Sequence, residues 1–160
     1  MIEICAKPIT KKNFERYGDI LDSPKGVGRF DYAAKLMNKR HKASPNLLLA
    51  KIKPSLLPMT VKVMEKHEES SQSFFPLDVR KYLVLVCPDK ANNEPDIQNM
   101  DAFIVTGNQG INFFSGVWHH PLTTIEKTGV FAALVWEDGT PRDTTWHNIP
   151  SNIQPSVILA

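Results

Sequence analysis

At 160 residues the chain is long enough for one domain with its own core and too short for two. Hydrophobic residues at 42% and charged residues at 22% exclude intrinsic disorder, collagen-like repeats and coiled coil. The 19 basic and 17 acidic side chains leave a net charge of +2, which demands neither a nucleic-acid nor a membrane partner. The opening stretch is interrupted by Lys7 and Pro8 and holds no signal-peptide core, and the longest apolar run, 82–87, is far too short to span a bilayer. Cys5 and Cys87 match no metal-ligand spacing, so they read as free thiols of a soluble protein in a reducing, cytoplasmic compartment.

Twelve prolines punctuate the chain and exclude any long helix. Residues 11–17 read as a short helix, with Thr10 to cap it, Phe14 and Tyr17 on one face and Gly18 to end it. A second helix is expected over 32–39. From there the pattern is strand after strand. Residues 47–52 form the first, and 59–64 alternate, with Val61 and Val63 on one side and Thr60 and Lys62 on the other. The run 82–87 is continuously apolar, as in a strand buried on both faces. Residues 89–101 are polar and acidic and read as a surface loop. Strands at 102–106, 111–114 and 129–136 follow, and the tail from Pro150 packs on its own chain or swaps onto a partner. Six or more short strands between Pro, Gly and Asn turns, with one or two short helices near the N-terminus, make a mainly β, antiparallel sandwich or barrel spanning 1–160 as a single domain.

Three of the five histidines fall in two short segments, Glu65-Lys-His67-Glu-Glu-Ser-Ser-Gln72 and Gly116-Val-Trp-His-His-Pro121. If the alternating strand runs on through the first, Glu65, His67 and Glu69 project from one face and Lys66 and Glu68 from the other. Val61 and Val63 share the parity of Glu65 and His67, so one face is apolar at one end and ionisable at the other, like the mouth of a small ligand-holding barrel. His120 precedes a proline and is pushed to an extended conformation, so at most one of His119 and His120 shares an interior with His67. His67, His119 and an oxygen ligand from Glu65, Glu69 or Gln72 would suit Ni, Fe, Mn or Zn. Two plainer readings compete: His119 and His120 as hydrogen-bonded rim residues under Trp118, and 65–69 as a solvated strand end. His41 sits in a basic loop, His147 reads as surface, and Gly107-Asn-Gln-Gly110 is a turn. No nucleophile elbow, phosphate loop or dinucleotide fingerprint occurs, which speaks against a covalent nucleophile and an organic cofactor.

Several stretches resemble one family. Phe14-Glu-Arg-Tyr-Gly-Asp-Ile20, then Glu65-Lys-His67 with Gln72, Phe74 and Pro76, and above all 103–112 followed by Gly116-Val-Trp-His-His-Pro-Leu122, are similar to the ureidoglycolate lyases of allantoin breakdown. The resemblance implies a cupin-like, jelly-roll type β-barrel, a homodimer, and cleavage of (S)-ureidoglycolate to glyoxylate and urea. It also implies nickel or another divalent ion, and its Gly-x-x-His pattern at Gly116 favours His119 over His120 for the interior. On that footing His67 and His119 are metal ligands or the base. Glu65 and Gln72 are ligands or substrate contacts, and His120 is the second choice for the acid. Lys51 or Arg40 is expected to meet the substrate carboxylate. Lys66 stands where relatives often have Arg, and Glu68 with the serines after it replaces their Pro- and Gly-containing loop. Another metal-dependent cupin enzyme, or a cupin that only senses a small acid, is the alternative.

Overall fold

A computed structural model describes residues 2–31 and 36–159. The chain starts with β1 (Glu3–Pro8), the one-turn helix α1 (Lys11–Phe14) and β2 (Gly18–Asp22). It continues through β3 (Ser44–Ile52), β4 (Met59–Thr60), β5 (Val63–Lys66), β6 (Gln72–Asp78) and β7 (Lys81–Cys87). After the 88–100 connection come β8 (Asp101–Thr106), β9 (Gln109–Phe113), β10 (Trp118–His119) and β11 (Thr123–Ile125). The long β12 (Gly129–Glu137), β13 (Thr145–Asn148) and β14 (Ser156–Leu159) complete it. One sheet runs β13-β5-β10-β7-β8-β1-β14-β4, with β11 also on β7, and the other runs β2-β9-β6-β12-β3. Pairing is antiparallel except for β1, which lies parallel to both β8 and β14. Two curled sheets face each other, the cupin-like arrangement expected of a mainly β chain.

The continuous run at 82–87 explains how the sheets are held. Even-numbered Tyr82, Val84 and Val86 enter a core between the sheets with Phe74, Phe103, Ile111, Phe113 and Phe131. Odd-numbered Leu83, Leu85 and Cys87 enter a second core with Met64, Ile97, Met100, Trp118 and Val157. Side chains of one strand alternate between its faces, so a strand with a core on each face must be apolar throughout. Tyr82 and Phe131 meet edge to face at 5.1 Å, a geometry worth about 1 kcal/mol beyond burial.

Several expectations shift in detail. The 11–17 helix ends at Phe14. A reciprocal cap starts it, with Asn13 N–H on Thr10 Oγ1 and Thr10 N–H on Asn13 Oδ1. Gly18 does not cap it but opens β2, where a Cβ would stand 2.0 Å from the Asn112 carbonyl oxygen. Of the helix expected over 32–39, residues 32–35 lie outside the described residues; 36–39 are not helical, and Asn38 bridges to Ser70 instead. The 59–64 strand is broken at Val61 and Lys62, and the break changes the parity. Val61 joins Met64 in the second core rather than sharing a face with Glu65. The tail packs on its own chain as β14, beside β1 and β4. Both cysteines are free, and no described helix is long and apolar enough to cross a membrane.

Asp101 ties α1 to the larger sheet. Its carboxylate accepts from Lys7 Nζ at 2.8 Å, Arg16 Nη2 at 2.8 Å and the Tyr17 hydroxyl at 2.9 Å. Burial alone would raise its pKa, but these three donors hold it below the usual carboxylate range. A depressed native value stabilises the fold above the unfolded pKa of about 3.9, and that contribution disappears as pH falls through the native value. Asp101→Asn is therefore expected to cost about 1 kcal/mol at pH 7 in urea unfolding, with the gap to wild type closing below about pH 4.

Candidate active site

The sheet register places the ionisable residues. β10 pairs with β5 so that His119 lies opposite Glu65, and with β7 so that it lies opposite Val86. Residues opposite each other in an antiparallel pair share a face, which puts the Glu65 and His119 side chains together. Just before β10 the chain turns at Gly116, whose φ of 82° favours glycine, and its N–H donates to the His67 carbonyl at 2.8 Å. That bond brings the end of β5 against the start of β10. Gln72 opens β6 opposite Phe113 of β9, and the Phe113 ring stacks on His119 at 4.2 Å.

Each ring is pinned from behind. His119 Nδ1 lies 2.9 Å from the Val117 carbonyl and His67 Nδ1 lies 2.7 Å from the Asp143 carbonyl. A carbonyl only accepts, so each ring carries a proton on Nδ1 and turns Nε2 toward the interior. His119 Nε2 lies 2.9 Å from Gln72 Oε1 and 3.3 Å from Glu65 Oε1. Among the described residues, His67 Nε2 is buried with no hydrogen-bond partner. The rings stack at 5.6 Å, and one ligand atom from each of Glu65, His67 and His119 falls within 4.8 Å of the other two. Two imidazole nitrogens held by backbone carbonyls, plus a carboxylate oxygen, form a donor set that fits a divalent cation. The unpartnered, buried Nε2 of His67 is the atom such an ion would satisfy.

Burial, reinforced by the charge on His119, pushes the His67 pKa down, so its ring is neutral at pH 7. Burial also lowers that of His120. For Glu65 burial works toward a higher value, but the hydrogen bond and charge of His119, with His67 and His120 further off, keep it ionised.

Four expected residues thus converge: Glu65, His67, Gln72 and His119. His120 lies outside this cluster, its Nδ1 2.7 Å from the Pro121 carbonyl and 3.0 Å from Thr123 Oγ1, though near enough to Glu65 to act on its charge. Glu69 leaves the cluster because the chain turns after His67, and it pairs with Arg142. Lys51 is exposed on the edge strand β3, beside Asp78. Arg40 does not present a free guanidinium to a substrate. Its Nη1 pairs with Asp143 and Asp138, its Nη2 donates to the Trp136 carbonyl at 2.7 Å, and its side chain is only 3% exposed. Trp118 lies on the opposite side of β10 in the second core, so the aromatic covering His119 is Phe113. Asp143 escapes any reading of the sequence, because its contribution is a main-chain carbonyl that every residue type carries.

The sequence model of ureidoglycolate lyases matches residues 1–155. Among individual relatives, the ureidoglycolate lyase of Burkholderia mallei (strain NCTC 10229) is 31% identical over 96% of this chain and 93% of its own length. That of Chelativorans sp. (strain BNC1) is 34% identical over 78% of this chain and 79% of its own. The corresponding Pseudomonas savastanoi pv. phaseolicola enzyme is 31% identical over 84% and 83%. The matched region contains every strand except β14 and every member of the Glu65, His67, Gln72 and His119 cluster, and the chain belongs to the ureidoglycolate lyase family.

Proposed function

We propose that this ureidoglycolate lyase splits (S)-ureidoglycolate into glyoxylate and urea at the Glu65, His67, Gln72 and His119 cluster. The observation that carries the assignment is the bare, buried Nε2 of His67 turned toward His119 and Glu65. The substrate has a hydroxyl and a urea nitrogen on one carbon beside a carboxylate. Loss of the hydroxyl proton lets the carbonyl form while the C–N bond breaks, and the departing nitrogen takes up a proton. The site must therefore accept a proton at one point, return it at another and stabilise negative charge on oxygen. No covalent nucleophile is needed.

The residues suit these tasks. Held neutral by burial, His67 keeps a lone pair on Nε2 for the hydroxyl proton. Ionised Glu65 and the Gln72 amide orient the hydroxyl and the urea group. His120, also neutral, suits a relay that passes this proton on to the departing nitrogen better than a standing acid. Phe113 closes one side of His119 against water. A divalent ion, with nickel favoured by the family, would be held by His67, His119 and Glu65 or Gln72, and would lower the pKa of the hydroxyl bound to it.

The outer face of β3, β6 and β12 exposes Leu47, Leu49, Phe75 and Leu77, the kind of apolar surface that an identical subunit covers in a homodimer. The free thiols fit a cytoplasmic setting, and burial raises the Cys87 pKa to about 12, which leaves it inert.

A product assay tests the reading. With racemic ureidoglycolate, urea is expected to rise in step with glyoxylate, above spontaneous decay and without ammonia. Turnover that survives chelation assigns His67 Nε2 as the base, whereas turnover lost and restored by nickel or manganese assigns it as a ligand. Folded, metal-loaded protein with no turnover above background would point to a different cupin enzyme or a sensor.

A further inference from the structure

Arg40 is a buried cation with no evident substrate to meet, and burying it is costly unless it organises something. What it organises is the turn at 138–143. Its Nη1 pairs with the carboxylates of Asp143 and Asp138, the latter at 3.3 Å, and Nη2 holds the Trp136 carbonyl at the end of β12. The Asp143 carboxylate also accepts from Asp138 N–H at 2.9 Å and Gly139 N–H at 2.8 Å, closing the turn on itself. The main-chain carbonyl of this same Asp143 receives the His67 Nδ1 proton.

We propose that Arg40 is a positioning residue of the lyase: through Asp143 it fixes the 138–143 turn, and the turn fixes which His67 nitrogen carries the proton and where Nε2 points. The inference rests on His67 belonging to the reacting centre. A ring freed from the Asp143 carbonyl samples both tautomers, and only the Nδ1–H form leaves Nε2 bare. Groups that orient a working histidine from behind typically account for 10–100-fold in activity. Arg40 occupies that place one residue further back, through an ion pair rather than by touching the ring.

Arg40→Gln and Asp143→Asn each break the ion pair, and Asp143→Asn keeps the carbonyl and an acceptor for the turn. Both are expected to lower kcat about tenfold with KM within about twofold. Arg40→Lys, which keeps the charge but not the fork, is expected to recover part of the loss. Long-range proton–nitrogen NMR of the protein as purified reads the mechanism directly. Wild type is expected to show His67 only as Nδ1–H, and the two ion-pair variants a mixture of tautomers. His67 remaining wholly Nδ1–H with unchanged kcat in either folded variant overturns the proposal, and Asp143→Asn suffices should Arg40→Gln not fold. Full turnover by His67→Ala would instead remove His67 from the reaction, a separate result, since the tautomer measurement does not depend on activity.

Discussion

Replacing His119 or His67 with Ala is expected to lower kcat by at least about a hundredfold, because proton transfer by a positioned side chain contributes about 10²–10⁴-fold. The two variants fail in different ways. His119→Ala removes the Nε2 that faces both Gln72 Oε1 and Glu65 Oε1, and strips the Phe113 ring of its stacking partner. It leaves the buried Glu65 carboxylate without its nearest side-chain partner, so a loss of stability accompanies the loss of rate. His67→Ala deletes an Nε2 with no partner among the described residues together with the Nδ1–H bonded to the Asp143 carbonyl, so it loses fewer contacts than His119→Ala and its effect falls more on the rate. Steady-state kinetics beside thermal unfolding of the same samples separates the effects. A loss of tenfold or less in a fully folded variant would take that residue out of the mechanism.

How far the sequence carried depended on what each feature encodes. Continuous apolarity at 82–87 is a statement about two faces, and β7 does feed two cores. The choice of His119 over His120 was legible because strand alternation permits only one of them inside, and the resemblance at Gly116 said which. Alternation failed at Val61, where the chain leaves the strand for two residues and resumes with the opposite parity, so Glu65 and His67 face the cluster without Val61 beside them. Strands β1, β2, β6, β11, β13 and β14 passed unread, being short or interrupted by polar residues and proline; pairing with distant segments makes them strands, and no local pattern announces that. The cations were harder still. Arg40 was expected at the substrate carboxylate, yet two aspartates a hundred residues away claim it. Lys66 was expected on the face away from His67, which holds, but burial of that face depends on Trp118 and the 88–100 connection, which only the fold brings over it.

That burial gives Asp89→Ala a large expected loss of stability for a substitution at a half-exposed position. The Lys66 side chain is 2% exposed, with Nζ 4.5 Å from the centre of the Trp118 ring. Asp89 Oδ1 accepts from Lys66 Nζ at 3.2 Å and from Trp118 Nε1 at 2.8 Å. Removing Asp89 leaves the indole N–H without an acceptor and leaves the buried ammonium with Asn93 at 2.7 Å and Glu68 at 3.4 Å. An orphaned buried donor costs about 1–3 kcal/mol, and a buried charge stripped of its partner about 3–5. Asp89 is itself nearly half exposed and Glu68 remains, so the lower part of that range applies, about 3 kcal/mol in all. For a chain of this length that corresponds to a fall in Tm of about 6–12 °C. Lys66→Met supplies the control, since it removes the charge that needs a partner while keeping a long apolar stem beside Trp118. If the uncompensated ammonium is the cause, Lys66→Met added to Asp89→Ala will restore part of the lost stability. A double variant no more stable than Asp89→Ala alone would place the whole cost on the Trp118 N–H. An unchanged Tm in Asp89→Ala would mean that neither donor depends on that carboxylate.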